Sequence, residues 1–163
     1  MPLESHTGDL RSRLRRGIFA LLLGFLAQSL PAWAAGEPPG LVTLEGAEIP
    51  AAELAQGRVV LVVWASWSPR CRDIADRLNA LNQQWGREAK IYAVSFQEDR
   101  AAVDAFLAGR RLPVQAALDR EGNFSKRHAI TALPSLIVFE DGRSLYSGKL
   151  PDDANGLLAN LLK

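Results

Sequence analysis

Residues 58–65 read RVVLVVWA, an unbroken run of apolar and β-branched side chains. A strand with one wet face would alternate, so a continuous run of this length predicts a strand buried on both faces. IYAVSF (91–96) repeats the pattern, and PVQAALD (113–119) gives a shorter extended segment. Between the first two runs the period changes. Ile74, Leu78, Leu81 and Trp85 fall at i, i+4, i+7 and i+11, one stripe of a helix. Ser68 and Pro69 predict its start, with serine as N-cap and proline at the first helical position. Residues 100–110 read as a further helix, and 122–129 as one or two helical turns.

LPSLIVFEDGRSLYSG (133–148) predicts two strands joined by Asp141-Gly142, a favoured hairpin turn. The chain closes with a helix that Asp152 or Asp153 can cap, its apolar face formed by Leu157, Leu158, Leu161 and Leu162. Ahead of these elements, LVTLEGAEI (41–49) alternates loosely around Gly46 and predicts a small hairpin. The order β-β-α-β-α-β-α-β-β-α makes the early strands parallel and the late hairpin antiparallel. The expected class is α/β: a mixed central sheet flanked by helices, with an N-terminal β-hairpin.

The first 34 residues do not fit that plan. RSRLRR (11–16) is basic, GIFALLLGFLAQSL (17–30) is apolar, and Ala32-Trp33-Ala34 is a small-residue pattern. This is the layout of a cleaved secretory signal. A retained membrane anchor is the alternative, but a span needs about 20 apolar residues. The expected division is residues 1–34 as signal peptide, 35–40 as a short flexible lead, and 41–163 as one domain. Cleavage would remove four Arg and two acids, leaving a net charge near −1. That balance offers no electrostatic reason for a nucleic-acid partner. Export, read here as bacterial and periplasmic, permits disulfides. The sequence holds a single cysteine, Cys71, which has no internal partner.

The stretches VVLVVWASWSPRC and DREGNFSKRHAITALPSLIVFEDGR, in that order, resemble the thioredoxin superfamily, and in particular the exported TlpA/ResA type. The likeness covers about residues 41–163. It implies a thioredoxin-like fold, a cis-proline at Pro134, and a W-C-x-x-C active site at the helix start. In such enzymes the first cysteine attacks a substrate disulfide, and the second, three residues on, resolves the mixed disulfide. Here the first position is Ser68, which forms no disulfide, and only the resolving position, Cys71, is kept. The resemblance also places proton-handling groups at two positions that here are Val62 and Ile74, neither of which can carry a proton. Asp73 neighbours Ile74 but points about 100° away on a helix.

The expected site is therefore degenerate. Ser68 reads as a helix cap; as a nucleophile it would need a base, and His128, the one histidine beyond the leader, gives no reason to approach it. Cys71 reads either as a structural thiol or as a single-thiol site that forms mixed disulfides or a sulfenic acid. One cysteine and one distant histidine do not make a metal set, and no cofactor is implied. Trp64 and Trp85 read as core. Trp67 reads as a partly exposed aromatic beside the helix start, suited to holding a peptide. Two functions follow. One is a thiol-redox protein working through Cys71. The other is a non-catalytic module that binds an exported protein or peptide, with or without a cysteine, in the former substrate groove of Trp67, Ser68, Pro69, Leu133 and Pro134. A dimer linked through Cys71 stays open.

Overall fold

A computed structural model describes residues 40–163. The expected leader, and the lead segment except Gly40, lie outside the described residues. The elements run β1 (Val42–Thr43), α1 (Ala51–Leu54), β2 (Arg58–Trp64), a 3₁₀ turn (Pro69–Cys71), α2 (Ile74–Trp85), β3 (Lys90–Phe96), α3 (Arg100–Leu107), β4 (Gln115–Asp119), α4 (Asn123–Arg127), β5 (Ser135–Glu140), β6 (Arg143–Lys149) and α5 (Ala154–Leu161).

The apolar runs occupy the middle of a six-stranded sheet of order β1-β4-β3-β2-β5-β6. β2, β3 and β4 pair in parallel, as their helical crossovers require. β5 is antiparallel to both β2 and β6, and β1 is antiparallel to β4. The register sets Val62 between Ala93 and Leu136. Successive side chains point to opposite faces, so β2 feeds two cores. Val60, Val62 and Trp64 join the core closed by α2, α3 and α5, where the stripe Ile74, Leu78, Leu81 and Trp85 is buried. Val59, Leu61 and Val63 join the opposite core with Leu54 of α1 and Phe124 of α4. This double burial accounts for the lack of alternation in β2.

The chain turns are built as their residues dictate. Asp141 and Gly142 both take positive φ, 47° and 77°, which lets two residues reverse the β5–β6 hairpin. Asp153 caps α5, its carboxylate accepting from Gly156 N–H at 2.8 Å. Arg77 of α2 donates to the Pro151 carbonyl at 2.5 Å and so pins α2 to the approach to α5. The N-terminal hairpin closes through Ile49 N–H to the Leu41 carbonyl, 2.9 Å, and its first strand also extends the sheet edge. Helix α1 was not foreseen, since four residues are too few to display a helical period. It is tied down by Tyr92, whose hydroxyl donates to Glu53 at 2.5 Å. Burial first, and then the Glu53 carboxylate, push the Tyr92 phenol well above its ordinary pKa.

Candidate functional site

The site forms where β2 runs out. Trp64 and Ala65 are buried, Ser66 turns the chain, and Trp67 stands 62% exposed while Ser68 is buried again. Pro69–Cys71 then makes one 3₁₀ turn, closed by Cys71 N–H donating to the Ser68 carbonyl at 2.9 Å. The structure corrects the expected helix start here. Ser68 occupies the N-cap position of the 3₁₀ turn, but its side chain makes no capping bond, and α2 begins at Ile74 behind Asp73. The spacing of the buried residues explains the difference. Ser68, Cys71 and Ile74 recur every three residues, all buried, and the 3₁₀ turn from Pro69 to Cys71 sets Ser68 and Cys71 one above the other.

Cys71 is 0% exposed and belongs to the same core as Val62, Trp64 and Ile74. The two positions that could have carried protons are therefore apolar, fully buried, and part of the core that seals the sulfur. Asp73 is exposed. His128 is held elsewhere, with its ring 4.5 Å from Phe124 and 5.4 Å from Phe139, centroid to centroid. Burial, then the neighbouring Arg127, lower its pKa, with Asp119 acting weakly the other way. Nothing brings this ring to Ser68 as a base. Among the described residues, no group of three or more His, Cys, Asp or Glu could hold a metal ion.

Beside the turn lies an open groove of about 520 Å³. Of the residues expected there, Trp67, Ser68, Pro69 and Leu133 line it. Pro134 does not: it is buried behind the wall, following a cis Leu133–Pro134 peptide bond. The rest of the lining was not foreseen. Arg70 and Phe96 contribute side chains, and Ile130–Ala132 completes the wall. Arg70 lies in the quoted motif, but only the 3₁₀ turn orients it to the groove. Phe96 ends a strand whose sequence reads simply as core. Among the described residues, no hydrogen bond occupies the backbone N–H or carbonyl of Thr131 or of Leu133.

Glu98 was also unforeseen. It sits buried beneath the Ser66 turn, accepting from Ser66 N–H at 2.9 Å, from the Ser66 hydroxyl, and from the Ser95 hydroxyl at 2.7 Å. A carboxylate holding three donors is a strong clamp, and this one fastens the turn before Trp67 to the end of β3.

Residues 28–146 match the AhpC/TSA family. Among solved structures, the chain is similar to a secreted Mycobacterium tuberculosis disulfide oxidoreductase homologous to E. coli DsbE, at 22% identity and TM-score 0.63, covering 78% of this chain and 98% of that one. It is similar to StoA from Bacillus subtilis at 20% identity and TM-score 0.60, covering 77% and 98%. A putative thiol:disulfide interchange protein DsbE from Chlorobium tepidum matches at 21% identity and TM-score 0.63, covering 75% and 89%. At these identities the structural likeness shows the fold, which is thioredoxin-like.

Proposed function

The chain belongs to the AhpC/TSA family, a redoxin family of thiol–disulfide oxidoreductase type, and from that premise we propose that it is an exported, non-catalytic member that holds a protein segment in the groove beside Trp67. The observation that carries this reading is a contrast within five residues: Trp67 is 62% exposed while Cys71 is 0% exposed. A dithiol enzyme needs an attacking thiol at the surface. Here that position is Ser68, itself buried, and the remaining sulfur, on Cys71, is fully buried. Single-thiol chemistry through Cys71 would need the sulfur to reach a partner, and its burial argues against that. The free Thr131 and Leu133 backbone groups suit an extended segment, because strand-like pairing supplies affinity without demanding a particular sequence.

Two experiments test the reading. In a reductase assay on a protein disulfide with dithiothreitol, the wild type is expected to add nothing to the background rate; turnover above background would overturn it. In a non-reducing pulldown from periplasmic extract, wild type and Cys71→Ser are expected to recover the same partners, and partners lost only with Cys71→Ser would mean covalent capture. Export is tested by fusing residues 1–34 to a phosphatase that is active only outside the cytoplasm. The fusion is expected to be active, and an inactive, retained fusion would contradict export. Among the described residues no helix is long and apolar enough to cross a membrane.

A further inference from the structure

The groove reading says that a segment binds; the wall chemistry says which kind. Of the residues lining the groove, Arg70 alone is charged. Its guanidinium is exposed and makes no hydrogen bond or ion pair with any described residue. By contrast, Arg58 pairs with Glu140 and Glu88, Arg77 with Asp152, and Arg100 with Asp104. The carboxylate closest in sequence to the wall residue Phe96 is Glu98, and its oxygens are taken up by Ser66 and Ser95 beneath the surface. The groove lining thus carries one positive charge that forms no ion pair with a described residue, beside the apolar Trp67, Pro69, Phe96 and Ile130.

We propose that the groove selects an extended segment in which an acidic residue adjoins an aromatic or large aliphatic one. The carboxylate pairs with the Arg70 guanidinium, whose planar fork favours two parallel N–H···O bonds. The apolar neighbour packs on Trp67, and the segment backbone pairs with Thr131 and Leu133. This rests on the groove reading and adds to it a charge preference. Complementary charge at an exposed rim acts mainly on choice of partner, because like charges are excluded as opposite ones are drawn in.

The test uses two end-blocked, fluorescently labelled peptides, Ala-Phe-Glu-Val-Ser-Ala and its twin with Lys in place of Glu. Binding is read by anisotropy at about 50 mM and about 300 mM salt, since exposed pairs are screened. Wild type is expected to prefer the acidic peptide by about five- to tenfold at low salt. Arg70→Glu should reverse the preference, and Trp67→Ala should weaken both peptides together. Because Arg70 is exposed, its replacement leaves the core untouched, and circular dichroism checks this. Equal binding of the two peptides by wild type, or a preference unchanged in Arg70→Glu, overturns the charge inference while leaving the groove reading in place. No binding of either peptide, at concentrations where they remain soluble, overturns both.

Discussion

Ser68 and Cys71 carry the central contrast, and their chemistry was legible in the sequence because it depends on residue type alone. Burial of the sulfur was not legible, since a helix start can present the resolving position either way. It comes from the packing of Cys71 into the core with Val62, Trp64 and Ile74, which only the assembled sheet and α2 bring together. The single 3₁₀ turn between positions 68 and 71 predicts that Ser68→Cys, after mild oxidation, loses both of its free thiols without forming a dimer, as measured by thiol titration and non-reducing electrophoresis. Two titratable thiols persisting after oxidation would mean that the turn keeps positions 68 and 71 apart. His128 makes a second prediction at this scale. Its folded pKa lies below the ordinary 6.5, chiefly through burial. The unfolded chain therefore binds more protons in the window between the lowered value and 6.5, so stability is full above that window and falls as pH drops through it. Urea midpoints should fall more steeply on acidification in wild type than in His128→Gln, and parallel curves would contradict the assignment.

Most elements were legible, including the short turns at 122–129 that form α4 and the N-terminal hairpin. The two apolar runs, the stripe of α2 and the Asp-Gly hairpin all match the structure, because each repeats its signal across enough residues to be read. α1 and the Glu98 clamp escaped. The first is only four residues long. The second joins Ser66, Ser95 and Glu98, a meeting that only the β2–β3 pairing arranges. α4 shows what holds such a short helix in place. Asp119, at the end of β4, is fully buried and accepts from Phe124 N–H at 3.2 Å and Ser125 N–H at 2.9 Å. Asp119→Ala strands two buried donors and is expected to cost roughly 2–3 kcal/mol in urea unfolding. Asp119→Asn, which keeps an acceptor, should cost less. A loss below about 0.5 kcal/mol in the alanine variant would mean that α4 does not depend on this cap.

At the scale of the molecule, the mixed sheet with helices on both faces follows from the order of elements, and the sequence resemblance pointed to the same architecture. What the order could not supply is the groove. Its walls come from the end of β2, the end of β3 and the segment before β5, which are distant in sequence and adjacent only once the sheet is assembled in its order. On the reading proposed above, the groove keeps the position of a redox site with a serine where the attacking cysteine would be, Ser68 and Cys71 both being buried. Whether solvent reaches the Cys71 thiol decides between a binding groove and a redox site. The decisive measurement is the rate of Cys71 alkylation by iodoacetamide in the native protein against the same protein in denaturant. Native Cys71 is expected to react only through opening of the domain, slower than in denaturant by orders of magnitude in line with global stability, with full reaction in denaturant. A native rate approaching the denatured one would show a thiol open to partners, and the groove would then have to be read as a redox site.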